Sequence, residues 1–329
     1  MKVAVFDTHS FEKEVFIREN LQFKHELIFF DNRLDSQTVE LARGFQAVCS
    51  FVNDKLDRYT LEKLKEFQVQ IVALRSAGFN HVDLGTAKKL NLPIVRVPEY
   101  SPYAIAEHTL ALILTLNRKI HRAHARIREL NFSLDGLVGF DLHGKTMGVI
   151  GTGRIGKVLV KIFNGFGCKV LAYDQFHDPE ILKNNSATYC YLEKLIKNSD
   201  VVSLNLPLTP KTRHLIDEKI LSLMKPSAFL INTGRGGLID TAALIKALKG
   251  HKIAGAGLDV YEVEEGIFFE DHSETGINDD ILARLLTFPN VIVTSHQAFL
   301  TQEALTQIAQ TTLSNLSQFE KTKEIQNQV

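Results

Sequence analysis

Residues Thr146–Asp174 read TMGVIGTGRIGKVLVKIFNGFGCKVLAYD. Thr146–Ile150 is a short apolar run with Val and Ile, the pattern of a buried strand. Gly151, Thr152, Gly153, Arg154, Ile155 and Gly156 follow at once. From Lys157 to Phe166 the apolar residues Val158, Leu159, Ile162, Phe163 and Phe166 recur at helical spacing. Gly167 stops that helix, and Lys169–Tyr173 is a second strand that delivers Asp174 at its carboxyl end.

A bare G-x-G-x-x-G is a weak signal. With a strand before it, a helix after it and an acidic residue closing the next strand, it becomes a dinucleotide fingerprint. Gly151 permits the tight turn, Gly153 lets the backbone approach a pyrophosphate, and Gly156 lets helix and strand pack closely. The helix start offers free N–H groups and the positive end of its dipole to phosphates. Asp174 is placed to accept the adenosine ribose hydroxyls and to repel a 2′-phosphate. Gln175, Phe176 and His177 follow it rather than Arg or Lys, so NAD is expected over NADP.

At 329 residues the chain is long enough for about two domains. Its 45% hydrophobic and 23% charged content is that of an ordinary globular protein. Lys plus Arg and Asp plus Glu are both 38, so no global field draws it to nucleic acid or anionic lipid. Cys49, Cys168 and Cys190 are odd in number and scattered, which argues for reduced thiols, a cytoplasmic setting and no zinc site. The opening MKVAVFD is too short an apolar run for a signal peptide and reads as a first strand. No apolar run approaches the roughly 20 residues that span a bilayer.

Before the fingerprint, strands are expected at Lys2–Asp7, Glu26–Asp31, Ala47–Phe51, Ile71–Leu74 and Ile94–Val97. Helices are expected at Glu12–Asn20, Ser36–Arg43, Thr60–Phe67 and Leu84–Leu90. That alternation is a parallel-sheet α/β unit in its own right. The turn Arg75-Ser76-Ala77-Gly78 closes one of its strands and is either an anion-holding site or a plain turn. Ser101-Pro102 opens a helix predicted to run unbroken from Tyr103 to about Leu130. Its second half is basic, with His121 and His124 one turn apart. With no further ligand at metal spacing, it reads as a solvated or subunit-facing end.

After the fingerprint, strands are expected at Val201–Leu206, Ala228–Thr233, Ala254–Val260 and Val291–Thr294. Helices are expected at Glu218–Met224, Thr241–Leu248, Asp280–Leu286 and Leu300–Phe319, followed by a polar, frayed tail. The fold class is therefore α/β, with two Rossmann-like parallel-sheet domains, one flavodoxin-like and one dinucleotide-binding. Residues 101–298 form the NAD-binding domain, inserted into a substrate domain made of 1–100 and 299–329. A cleft between the two is the expected substrate site.

Three strand ends carry ionisable groups. The turn Asn232-Thr233-Gly234-Arg235-Gly236 presents Arg235, whose planar fork suits a carboxylate. The second end runs from Asp259 through Glu262, Glu264 and Glu265. The third is Ser295-His296-Gln297, and a His there is a natural proton donor to a carbonyl, with a nearby carboxylate to fix its ring. Which glutamate does so is left open by the residues alone. The Pro-rich exit after Leu206 suits a wall beside the cofactor, and Leu206, Pro207, Thr212, Thr233 and Gly234 are assigned as cofactor contacts.

Over nearly its whole length the chain resembles the D-isomer-specific 2-hydroxyacid dehydrogenases. GTGRIG with Asp174 looks like that family's cofactor site, and INTGRGGLID, LDVYEVE and the His296 segment look like its signature blocks. The stretches CSFVND, RSAGFNHVDL, AEHTLALILTLNRKIHRA, FFED and SHQAFLTQEALTQIAQTTLSNL are similar to its fermentative, D-lactate-forming branch. The resemblance implies NADH-dependent reduction of pyruvate, or of a related 2-oxo acid such as 2-oxoisocaproate, phenylpyruvate, hydroxypyruvate or glyoxylate. It implies Arg235 as carboxylate binder, His296 as acid/base and Glu264 as its partner, with Asp259 near the nicotinamide carboxamide. Ser76, Ala77, Gly78, Tyr100 and Phe299 are implied substrate contacts, and a dimer or tetramer is implied. Gly234 stands where Ser is usual, Asn205 where His is frequent, and Phe51 where some relatives carry Tyr. A corepressor-like NADH sensor on the same fold is the alternative from outside enzymes.

Overall fold

The computed structural model describes residues 1–184 and 186–329. In chain order the elements are β1 (Lys2–Val5), α1 (Ser10–Phe23), β2 (Glu26–Phe29), β3 (Ala47–Ser50), α2 (Arg58–Glu66), β4 (Ile71–Leu74), α3 (Leu84–Lys89) and β5 (Ile94–Val95). Next come α4 (Pro102–Arg118), α5 (Ile120–Arg128), β6 (Thr146–Ile150), α6 (Arg154–Gly165), β7 (Lys169–Tyr173), α7 (Pro179–Lys183), β8 (Thr188–Tyr189), α8 (Leu192–Asn198) and β9 (Val201–Leu204). The chain continues through α9 (Glu218–Ser222), β10 (Phe229–Asn232), α10 (Thr241–Lys249), β11 (Gly255–Leu258), α11 (Asp280–Leu286), β12 (Val291–Val293) and α12 (Gln302–Thr322). It divides into two compact units, Met1–Ser101 with Leu300–Val329, and Pro102–Phe299. Among the described residues no helix is long and apolar enough to cross a membrane.

The first unit is a five-stranded parallel sheet in the order β2-β1-β3-β4-β5. β3 and β4 are buried at every residue, as strands covered on both faces must be. The helix expected over Ser36–Arg43 is reduced to one 3-10 turn, Val39–Ala42. Asp35 accepts the N–H groups of Gln37 and Thr38, and the Thr38 hydroxyl donates to the Arg33 carbonyl. Such local side-chain bonds compete with helix formation. The chain end is also not frayed. Gln328 pairs antiparallel with Val95, Arg96 N–H donates to the Asn327 carbonyl (3.0 Å), and Val329 packs on the core. An open edge at β5 recruits this polar segment because its N–H and C=O groups need partners.

The second unit is a seven-stranded parallel sheet in the order β12-β11-β10-β9-β6-β7-β8. Alternate residues serve opposite faces. Met147, Val149, Phe229 and Ile231 join the core that includes α4 and α6 residues, while Ile150 and Leu230 join the core that includes α8 to α11 residues. The order reverses between β6 and β9, where open α/β sheets leave a crevice for a ligand. Strands fall short of their expected carboxyl ends by one or two residues, so Asn205, Thr233, Asp259 and Thr294 lie in loops beyond the sheet. The region between Asp174 and Val201 holds α7, β8 and α8, which pattern reading passed over. At the start of α7 the Asp178 side chain caps the N–H groups of Glu180 and Ile181, with Pro179 at the first helical position.

The long helix expected from Tyr103 to Leu130 is two helices, broken at Lys119 in the left-handed conformation (φ 49°). Asn117 turns its side chain onto the returning strand of loop, donating to the Phe140 carbonyl (2.7 Å) and accepting the Phe140 N–H (2.8 Å). Lys119 reaches the Val138 carbonyl. The break is thus fixed by residues about twenty positions downstream, beyond any local periodicity.

Candidate active site

The glycine turn sits at the reversal point of the seven-stranded sheet. Gly151 has φ +91°, and a Cβ there would stand 2.5 Å from the Asn205 carbonyl oxygen. A Cβ on Gly156 would stand 2.0 Å from the Gly151 carbonyl oxygen, so helix and turn touch as the fingerprint requires. By contrast a Cβ on Gly153 would meet nothing within 4 Å, and Gly153, the N-cap of α6, has no side chain to cap the helix that follows. That leaves open space beside the first N–H groups of the helix, which suits a pyrophosphate. Arg154 is exposed at the first position of α6, and Ile155 is half-buried beside it.

Asp174 accepts the Thr152 N–H (2.7 Å) and the Thr152 hydroxyl (3.2 Å) on one oxygen, and the Phe176 N–H (3.1 Å) on the other. A carboxylate oxygen has two lone pairs, so the second retains acceptor capacity for a ribose hydroxyl. Along the next loop Thr212 donates to the Pro207 carbonyl (2.7 Å). Leu206 packs on the core beside that loop. The residues present fit a dinucleotide.

Arg235 follows β10 on a loop held by Asn232, a residue the sequence did not single out. The Asn232 amide donates to the Arg235 carbonyl (2.9 Å), and its oxygen accepts the Gly234 N–H (3.0 Å). Gly236 lies so close to the next loop that a Cβ would stand 1.9 Å from the Tyr261 carbonyl oxygen. Half-buried, Arg235 folds its Nη1 onto the Gly234 carbonyl (2.7 Å).

Two of the three glutamates left open by the residues alone separate cleanly. Glu264 Oε2 lies 2.7 Å from His296 Nδ1, and its Oε1 accepts the Tyr261 N–H (2.9 Å). Glu262 turns elsewhere, to His214 Nε2 (2.5 Å), Arg213 (3.2 Å) and the Thr241 hydroxyl (3.1 Å). The loop is tied down by the Tyr261 hydroxyl, which donates to Asp279 (2.8 Å). Burial pushes that phenol's pKa up, and the bond to Asp279 adds to the shift.

His296 holds φ +54°. Its N–H donates to the Asp259 carbonyl (2.7 Å), and the fully buried Asp259 carboxylate accepts Thr294 Oγ1–H (2.6 Å), Gln297 N–H (2.9 Å) and Ala298 N–H (2.9 Å). Burial alone would raise the Asp259 pKa. Hydrogen bonds from His108, Thr294 and the Ala298 backbone outweigh it and hold the carboxyl below its usual range. His108 and Thr294 were both missed by sequence reasoning. The His sits inside an apolar helix and carries no local signal.

The other assigned residues lie as follows. Ser76 is buried and donates its hydroxyl to the Gly78 carbonyl (2.7 Å), while Arg96 donates to the Ala77 carbonyl (2.7 Å). Tyr100 and Phe299 are half-buried. Arg75, quoted as part of that turn, belongs to the interior. Its buried guanidinium makes two bonds to Glu12 (2.8 and 3.0 Å) and others to the carbonyls of Phe6, Asp7 and Cys49. Nearby, burial pushes the Asp54 carboxyl up to about 7, against the opposing pull of the Leu34 N–H, Arg75 and the Phe51 N–H. Among the described residues no group of three His, Cys, Asp or Glu side chains forms a metal site.

The sequence model of the D-isomer specific 2-hydroxyacid dehydrogenase, NAD binding domain, matches residues 110–298. The D-lactate dehydrogenase of Escherichia coli strain K12 is 49% identical over 329 residues, covering all of both chains. The chain belongs to the D-isomer-specific 2-hydroxyacid dehydrogenases. As a member of that family it is an oxidoreductase that uses NAD. Its fold is that of the apo-structure of D-lactate dehydrogenase from Escherichia coli, with a TM-score of 0.92 and 47% identity over 100% of each chain. The structure of D-2-hydroxyisocaproate dehydrogenase also matches, with a TM-score of 0.88 and 33% identity over 100% of this chain and 99% of that one.

Proposed function

We propose that this dehydrogenase reduces pyruvate to D-lactate with NADH, reversibly, with His296 as acid/base, Glu264 as its partner and Arg235 as the carboxylate clamp. The observation that carries the reading is the 2.7 Å contact of His296 Nδ1 with Glu264. With Nδ1–H held by the carboxylate, the ring orientation is set and Nε2 is the nitrogen left to give its proton to a carbonyl oxygen. Arg235, on its Asn232-braced loop, offers parallel N–H donors to the carboxylate of a 2-oxo acid. Gly151, Gly153, Gly156 and the α6 N-terminus would hold the dinucleotide phosphates and Asp174 its adenosine ribose, favouring NADH over NADPH. When bound, the nicotinamide supplies the hydride.

A sibling substrate is the second reading, favoured by the match to D-2-hydroxyisocaproate dehydrogenase. One methylene in an apolar pocket is worth only about 1–3 kcal/mol. The test is NADH oxidation with pyruvate against 2-oxoisocaproate, phenylpyruvate, hydroxypyruvate and glyoxylate, with chiral analysis of the product. A kcat/KM lead for pyruvate with D-lactate as product supports the proposal. A lead for a bulkier acid moves the substrate. L-lactate refutes the stereochemical assignment, and tight NADH binding without turnover favours a sensor. Replacing His296 by Gln is expected to lower kcat by about 100-fold or more, and Arg235→Gln chiefly to raise KM for the oxo acid.

A homo-oligomer is part of the proposal. Ile120, Ile127, Leu130, Phe132, Leu134 and Val138 are 52–83% exposed on α5 and the segment after it. Apolar side chains concentrated in one segment mark an interaction surface. Light scattering on the intact protein distinguishes a monomer, which refutes this, from a dimer or tetramer.

A further inference from the structure

We propose that His108 is a positioning residue for His296, acting through Thr294 and Asp259. The inference rests on the role given to His296 above. His108 lies in the middle of α4, outside the strand-end loops that carry the other site residues. Its Nε2 is 3.1 Å from Thr294 Oγ1 and 3.3 Å from Asp259 Oδ1. The Thr294 hydroxyl gives its only proton to Asp259 (2.6 Å), so toward His108 its oxygen can only accept. The imidazole is therefore the donor, with the proton on Nε2.

Among the described residues His108 is the one basic side chain within 4 Å of the Asp259 carboxylate, which is completely shielded from solvent. A buried carboxylate needs compensation from charge or donors. The remaining donors to Asp259 are the N–H groups of Gln297 and Ala298, and the His296 N–H donates to its carbonyl. These bonds define the turn in which His296 adopts φ +54°. A non-glycine residue stays in that region only where its surroundings over-determine it. His108 thus anchors to α4 the carboxylate around which the His296 turn is wrapped. The next residue repeats the device, since Thr109 Oγ1 lies 2.8 Å from Thr233 Oγ1 at the start of the Arg235 loop. One turn of α4 braces both loops.

The test compares His108→Leu, His108→Gln and Thr294→Val in the full-length protein, with NADH and pyruvate or the best 2-oxo acid. In His108→Leu kcat is expected to fall about 10- to 100-fold, because a misplacement near 1 Å costs about that much. NADH affinity, read by fluorescence titration, and KM for the oxo acid should stay within about threefold of the parent, a change well below the one in kcat. Gln sets an N–H near the position of the ring Nε2, so His108→Gln should recover at least half of the logarithmic loss. Thr294→Val removes the same relay from the other side and should resemble His108→Leu.

The pH profile adds a readout that a merely structural role does not move. Among the described residues the one titratable side chain in contact with the Asp259 carboxylate is His108 from α4; His296 touches Asp259 only through its backbone N–H, and Thr294 is neutral. Removing the His108 donor raises the Asp259 pKa. The acid limb of kcat should therefore move to higher pH in His108→Leu and return toward the parent in His108→Gln. Parental kcat and pH profile in His108→Leu, or a Gln variant no better than Leu, overturns the inference. Should His108→Leu not fold, His108→Gln and Thr294→Val decide it, and parental kcat in both overturns it. A parent protein that turns over no 2-oxo acid counts against the proposed function. An active parent with indifferent variants counts against His108 alone.

Discussion

The contact between Gly236 and Tyr261 joins the loop of Arg235 to the loop of Glu264, and a single methyl group tests whether that contact matters. In Gly236→Ala the new Cβ would stand 1.9 Å from the Tyr261 oxygen, 2.0 Å from its carbonyl carbon and 2.5 Å from Glu262 N. All three are backbone atoms that cannot rotate away. Ordinary contact begins near 3.4 Å, so the loops must part by 3.4 − 1.9 = 1.5 Å. Overpacking of this kind costs about 1–3 kcal/mol. At about 2–4 °C per kcal/mol for a unit of this size, Tm should fall by roughly 2–12 °C. A displacement above 1 Å between the proposed carboxylate clamp and the proposed acid/base pair should lower kcat/KM by about 100-fold or more. Gly237→Ala is the control, since its Cβ would meet only movable side-chain atoms, Leu208 Cδ2 at 3.1 Å and Cδ1 at 3.3 Å first. It should retain kcat/KM within about threefold, since flexible side chains can give by the few tenths of an ångström required. The assays are NADH oxidation with the preferred 2-oxo acid and a thermal melt followed by near-UV circular dichroism. Parental activity and Tm in Gly236→Ala would refute the reasoning. Equal losses in both variants would show that the loop tolerates no added volume, whatever its neighbour.

Replacing Arg75 by Met leaves Glu12 and three carbonyl groups without their buried donor, and urea titration should show a loss of about 3–5 kcal/mol. A loss below about 1 kcal/mol would mean that water or neighbouring groups take over. Asp54 predicts an unusual pH dependence. Its folded pKa of about 7 lies above the ordinary 3.8, so the folded chain holds the proton more tightly. The resulting stability is full below about pH 4 and lost as pH rises through about 7. Asp54→Asn should flatten the decline in urea midpoint between those limits, and an unchanged slope would mean the carboxyl is already ionised there.

What could be read from the residues was what is encoded within one turn or one strand. The glycine turn and Asp174 are separated by one helix and one strand, so their spacing alone implied their meeting. The expected helix starts at Leu84, Glu218, Thr241 and Asp280 agree with the structure, where Asp83, Asp217, Asp240 and Asp279 cap them locally, whereas α2 begins at Arg58, two residues before the expected Thr60, on the cap of Asp57. The break at Lys119 was not legible, because its cause is Phe140. Arg75 and Glu12 are 63 positions apart, and each by itself looks like a surface residue. Among Glu262, Glu264 and Glu265 the residue types are identical, and only the distances to His214 and His296 separate the first two. His108 lies beyond pattern reading altogether, since a polar residue in an apolar helix is informative only once its partner is known.

The insertion of one unit into the other has a consequence for how the chain is made. In the first unit, α12 packs against α1 and β4, yet it is synthesised only after the whole of the second unit. Translation at about 5–20 residues per second puts the roughly 200 residues of the second unit between the sheet and its covering helix, a delay of about 10–40 s. By the end of that interval the second unit has its whole sequence synthesised, while the first still lacks α12. The apolar surface that awaits α12 is meanwhile open to chaperones and to neighbouring nascent chains.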